Sequence, residues 1–175
     1  MLTPVFLFLF TAQFIPHHYL FALIVFVIAS VTDFADGYIA RKNNIITNFG
    51  KIADPIADKI LTTAALLALT ELELCSSWIV LIVLAREFTV SAIRIVAASQ
   101  GSVIPANIFG KIKTASQMIF TIFILAVIMF ESEDVFTIPH FQTVSYCLLW
   151  ITAVLAIFSG VIYIKDSAKV IDFSK

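Results

Sequence analysis

Residues 33–58 read DFADGYIARKNNIITNFGKIADPIAD, four aspartates set into an otherwise oily chain. The flanking stretches 19–32 and 60–70 carry no charge at all. At about 100° per residue, Asp33, Asp36, Gly37 and Ala40 share one stripe of a helix, and Asp54 and Asp58 share one stripe of the next. The connection between them is short, which makes the two helices antiparallel neighbours. Four carboxylates can then converge at one mouth of a helical bundle.

The rest of the chain says what solvent surrounds that bundle. Of 175 residues, 61% are hydrophobic, with a mean hydropathy of +1.02. A soluble domain is about 45–50% apolar, so one core cannot hide this excess and lipid must take much of it. Apolar blocks recur, each near the roughly 20 residues that cross a bilayer, and they lack the alternation of a barrel strand. Helices are predicted over 2–15, 19–42, 49–70, 76–99, 106–130 and 140–165. The expected fold is an all-α integral membrane protein, a bundle of six transmembrane helices forming one domain over 1–175.

Charge placement sets the expected orientation. The eleven Lys and Arg cluster at one end or in helices leading to it: Arg41, Lys42 and Lys51, then Lys111 and Lys113, then Lys165, Lys169 and Lys175. The opposite connections carry Glu71, Glu73, Glu131, Glu133 and Asp134 without a Lys or Arg. The positive-inside bias places both termini, the 42–51 and 100–106 connections and the acidic quartet on the cytoplasmic side. His17, His18 and His140 fall on the outer side as interfacial residues, and Trp78 and Trp150 read as interface or packing aromatics. The apolar start has no basic region before it and is a poor signal peptide. Cys75 and Cys147 lack metal-ligand spacing, which argues against a zinc site or disulfide framework. Nothing calls for a nucleic-acid partner.

Ionisable groups in apolar spans cost about 2.5–3.5 kcal/mol each at a helix centre, and those retained usually mark function. Carboxylates crowded in a low-dielectric pocket repel one another until protons or a cation relieve them. Their hard oxygens suit Mg²⁺, Mn²⁺ or Ca²⁺, and two adjacent ions would clamp a pyrophosphate for in-line displacement. Gly37 and Ala40 leave a flat slot beside the acids for a nucleotide base. Arg41 can pair with phosphate oxygens in a bidentate way. Pro55 is tolerable near a helix start, where it orients Asp54. Blander readings compete: a proton or cation pathway through the quartet, salt bridges to Arg41 and Lys59, an internal Arg86–Glu87 ion pair, and Lys111 and Lys113 as positive-inside anchors.

The spacing Asp33-x2-Asp36-Gly37-x2-Ala40-Arg41-x8-Gly50-x3-Asp54-x3-Asp58 resembles the signature of the CDP-alcohol phosphotransferase family at every fixed position. The resemblance implies a CDP-linked donor, two divalent metals (Mg²⁺ or Mn²⁺), release of CMP, and a homodimer. It makes Asp33, Asp36, Asp54 and Asp58 metal ligands and Asp58 also the base that takes the alcohol's proton. It assigns Gly37, Ala40, Arg41 and Thr47 to the CDP-lipid.

Further matches narrow the acceptor. Asp54-Pro-x2-Ala-Asp-Lys59, Arg86-Glu87 followed by Arg94, and Gly110-Lys-x-Lys-Thr-x2-Gln117 resemble the bacterial branch of the family that joins CDP-diacylglycerol to glycerol 3-phosphate. A dianionic acceptor needs cations, and Lys59, Arg86, Arg94, Lys111 and Lys113 are the candidates, with Arg86, Arg94 and Lys111 foremost. The implied location is the bacterial inner membrane. Family members carry an amphipathic segment before the first helix, and here the chain begins Met1-Leu-Thr-Pro4, so that segment is expected to be absent. Rival readings are the same chemistry on inositol phosphate, serine or phosphatidylglycerol, a cation or proton transporter, and a non-catalytic assembly subunit.

Overall fold

A computed structural model describes the backbone of residues 2–43, 48–100 and 107–168, and the side chains of 2–32, 59–100 and 107–168. It is all-helical: α1 (Thr3–Thr11), α2 (His18–Asn43), α3 (Asn48–Glu71), α4 (Ser77–Ser99), α5 (Ile108–Ser132) and α6 (Phe141–Ser167). Six helices are as expected, and five of them fall within about two residues of the predicted bounds. The first does not. It ends at Thr11 rather than running to 15, as Ala12 leaves helical geometry. Pro16 then disfavours helix at Ile15.

Among the described residues, α5 and α6 are long and apolar enough to cross a bilayer. Among the described residues, large apolar side chains are exposed on every helix, among them Phe8, Phe21, Leu67, Phe88, Ile119 and Val154. Exposed apolar surface of that extent marks a membrane or protein interaction face.

The connections at one end show how the chain turns without glycine. Among the described residues, the non-glycine positions with left-handed φ are His17, Glu73, Asp134 and His140, all in turns at the acidic end. Glu73 and Asp134 each close a helix with the paired backbone bonds of a Schellman cap. Leu74 N donates to Leu69 O at 2.9 Å and Glu73 N to Thr70 O at 3.1 Å, and Val135 N to Phe130 O at 3.1 Å and Asp134 N to Glu131 O at 3.2 Å. Leu74 and Leu69 are both buried, which supplies the apolar contact that accompanies such a cap.

Side chains tie the same end together. Gln142 Nε2 donates to Glu73 O at 2.9 Å and Ser145 Oγ to Leu74 O at 2.8 Å, while His17 Nδ1 pairs with Glu133. Cys75 lies in the connection before α4 and is 2% exposed. Its burial pushes the thiol up to about 11. Only the thiolate is nucleophilic. In a Cys147→Ser variant, iodoacetamide labelling of Cys75 should therefore stay slow at pH 8 and rise as pH approaches 11; rapid labelling at pH 8 would show that this connection opens readily.

The core is built from small and aromatic residues. Phe6 stacks on Phe10 and Phe26 at centroid distances of 5.8 and 5.4 Å, which seats α1 against α2. α6 buries Ser145, Leu149, Thr152, Ala153, Ala156, Ser159, Gly160 and Tyr163, one stripe of mostly small residues. Small side chains let helix backbones approach closely in lipid, and this stripe packs between α4 and α5.

Candidate active site

The antiparallel turns decide which charges can meet. α2 ends and α3 begins at the end opposite the acidic connections. The C-terminal half of α4, the first half of α5 and the last turns of α6 reach that same end. Asp33, Asp36, Gly37, Ala40 and Arg41 lie on the second half of α2, and Asp54 and Asp58 on the first half of α3, which packs against α2. The side chains of these residues, and Thr47 altogether, lie outside the described residues.

The cations can be placed. Lys113 of α5 is 2% exposed, and its Nζ donates to Glu87 Oε1 of α4 at 2.7 Å. Arg86 Nη1 donates to the same oxygen at 2.9 Å, and Arg86 Nε donates to Ser159 Oγ of α6 at 3.2 Å. Lys59, the residue after Asp58, acts electrostatically on both Glu87 and Lys113. Two turns further along α4, Arg94 Nε donates to Tyr163 Oη at 3.3 Å and its guanidinium lies over the ring, 5.6 Å from the centroid. Lys111 is exposed, on a different face of α5 from Lys113.

So the structure brings together Arg86, Glu87 and Lys113, with Lys59 within electrostatic reach. It sets Arg94 two turns away on Tyr163 and leaves Lys111 apart. The internal ion pair and the collected cations turn out to be one cluster, because a single carboxylate oxygen joins α4 to α5.

Sequence reasoning passed over Ser159, Gly160 and Tyr163. Their signal was a polar or small residue repeating at helical spacing in an apolar run, which reads equally well as packing. Gln117, quoted with the lysines, is buried on the same helix.

The arrangement therefore has two parts: an acidic motif on α2 and α3, and a cationic cluster on α4 and α5 braced by α6. Residues 1–158 match the CDP-alcohol phosphatidyltransferase family. The chain belongs to that family. Its similarity to the CDP-diacylglycerol–glycerol-3-phosphate 3-phosphatidyltransferase of Bacillus subtilis is 50% identity over 105 residues, 60% of this chain and 54% of that protein. The enzyme of the same name in Rickettsia felis is 40% identical over 146 residues, 83% of this chain and 78% of that one. A cardiolipin synthase (CMP-forming) from Oryza sativa is 35% identical over 161 residues, 84% of this chain and 48% of that one. The chain thus matches just over half the length of its Bacillus relative and about half of the rice protein. Membership makes it a transferase, with the aspartate motif on α2 and α3 and the cationic cluster between the middle of α4 and the start of α5.

Proposed function

We propose that this protein transfers the phosphatidyl group of CDP-diacylglycerol to glycerol 3-phosphate, giving phosphatidylglycerophosphate and CMP, at a site on the cytoplasmic side of a six-span bundle. The observation that carries the reading is the part-buried Arg86–Glu87–Lys113 cluster, which ties the middle of α4 to the second turn of α5. A neutral acceptor would not need two cations held there, whereas a phosphate monoester would. The names of the Bacillus and Rickettsia relatives support the same acceptor.

The donor set fits the metals that this chemistry uses. Four carboxylates on adjacent helices offer hard oxygen ligands and no soft ones, which suits two Mg²⁺ or Mn²⁺ ions held by Asp33, Asp36, Asp54 and Asp58. Their chemistry when bound is neutralisation of charge on the pyrophosphate and on the departing CMP.

The chain's own residues do the rest. Gly37 and Ala40 leave room for the cytidine, Arg41 pairs with donor phosphate oxygens, and Thr47 is a further contact to the CDP-lipid. The acyl chains stay in lipid against the apolar exterior. Arg86 and Lys113 hold the acceptor phosphate, with Arg94 and Lys59 as further cations, and Lys111, on another face of α5, stays outside the pocket. Asp58 takes the proton from the primary hydroxyl. That oxygen attacks the β-phosphorus as the bond to CMP breaks, so the proton ends on Asp58 and the electron pair on CMP. No side chain needs to form a covalent intermediate, and inversion at phosphorus is the stereochemical consequence.

CMP release from labelled CDP-diacylglycerol tests the acceptor. Glycerol 3-phosphate should support it, while inositol phosphate, serine and phosphatidylglycerol should not. Phosphatidylglycerol is the rival with a specific observation behind it, the similarity to a cardiolipin synthase; release with that lipid and none with glycerol 3-phosphate would replace the proposal. Cation or proton flux in liposomes without CMP release would replace it with a transporter. The homodimer implied by the family resemblance belongs to the same proposal, and light scattering of the detergent-solubilised chain tests it.

A further inference from the structure

We infer that Glu87 is a positioning residue for the acceptor, holding Arg86 and Lys113 at a set separation so that their remaining donors meet a phosphate monoester. The inference rests on the acceptor reading above and goes beyond it by naming a carboxylate in a site for an anion.

Glu87 Oε1 accepts from both Arg86 Nη1, at 2.9 Å, and Lys113 Nζ, at 2.7 Å. One atom therefore sets the distance between cations on two helices. Arg86 is held at other points as well. A Cβ at Gly160 would lie 3.1 Å from Arg86 Cγ, and one at Gly110 would lie 3.0 Å from Arg86 Nη2. The arginine thus runs through a slot between α5 and α6 that glycine keeps open at both ends, with Ser159 accepting from Nε in the middle. Stem, Nε and Nη1 are all fixed, and Nη2 is left at the α5 N-terminus.

What surrounds Nη2 points to an anion. Asn107 Oδ1 accepts from Gly110 N at 2.7 Å, which fixes the amide's orientation. Its Nδ2 is then a buried donor with no acceptor among the described residues. A buried donor left unpaired is costly, and a phosphate oxygen supplies the missing acceptor. Among the described residues, one carboxylate here accepts from two cations, which leaves donors of both to face a further anion. Glu87 keeps the two like charges together before the acceptor arrives, and preorganisation of that kind lowers the cost of binding.

Kinetics of the full chain in detergent–lipid micelles test this, with glycerol 3-phosphate varied at saturating CDP-diacylglycerol and the reverse. Glu87→Gln leaves Arg86 and Lys113 facing each other with no charge between them. Its KM for glycerol 3-phosphate should rise about tenfold or more, the worth of a charge-assisted hydrogen bond. The KM for CDP-diacylglycerol should stay within about twofold, the mark of a lost acceptor contact rather than general damage. Glu87→Asp keeps the charge on a shorter arm and should recover part of the loss. Breaking a buried pair can also unfold a chain, so Gly160→Ala repeats the test without removing a charge: its Cβ crowds Arg86 Cγ and should raise the acceptor KM alone.

An unmoved acceptor KM in whichever variants fold overturns the positioning role, as does an equal rise in both KM values. If the unaltered protein releases no CMP with glycerol 3-phosphate, the acceptor reading falls and takes this one with it. If it does release CMP and the variants bind acceptor normally, only the role of Glu87 falls.

Discussion

Replacing Asp58 by Asn is expected to lower CMP release by about 10²–10⁴-fold, the usual worth of a positioned general base, with the protein still folded in the membrane. The substitution keeps the shape of the side chain and one oxygen but removes the group that accepts the alcohol's proton. Asp58 has a second proposed duty as a metal ligand, and the two duties separate experimentally. Loss of a ligand weakens metal binding, so raising Mg²⁺ or Mn²⁺ should recover activity. Loss of a base cannot be recovered in that way. Asp33→Asn is the comparison: it should respond to added metal, while Asp58→Asn should stay low at every concentration. The acidic limb of the pH–rate profile, where a carboxylate base gains its proton, should also disappear from whatever activity Asp58→Asn retains. Near-normal kcat in Asp58→Asn would remove it from the mechanism and would favour an assembly or transport role for the chain.

Chelation should have an effect as large. Treatment with EDTA is expected to reduce CMP release by about two orders of magnitude or more, since a bound cation is worth several kcal/mol of charge stabilisation at a phosphoryl centre. Adding back Mg²⁺ or Mn²⁺ should restore it. The sign of the pH effect follows from the ligands. Carboxylates bind metal only when deprotonated, so the metal concentration needed for half-maximal activity should rise as pH falls. Zinc should restore poorly, because the motif offers neither sulfur nor imidazole. Full activity after chelation would show that the four aspartates serve protons rather than cations, as a relay would.

These two results bear on the part of the site that was most legible without a structure. Four acids in apolar helices are expensive, and their 3- and 4-residue spacings leave one face of each helix to carry them. The cationic part was less legible. Lys111 and Lys113 are neighbours in sequence, yet one is exposed and the other is 2% exposed and ion-paired. Residues two apart on a helix point about 200° away from each other, so spacing separates them but does not say which one faces inward. Arg86 and Glu87 are adjacent and could have formed a simple pair.

The amino-acid sequence by itself determined five of the six helices to within about two residues, the segregation of charge to two ends, and the aspartate spacing that marks the family, because apolar runs, charge placement and short-range spacing are properties of the chain taken locally. Only the tertiary structure decided that Glu87 bridges Arg86 to Lys113, that Ser159 and Tyr163 receive the two arginines, and that Gly110 and Gly160 leave the slot for Arg86. The hydrogen bonds between these helices span 26 to 73 residues of sequence. They depend on how deep each helix sits and how it is rotated against its neighbours, and the small-residue stripe of α6 sets both through close packing.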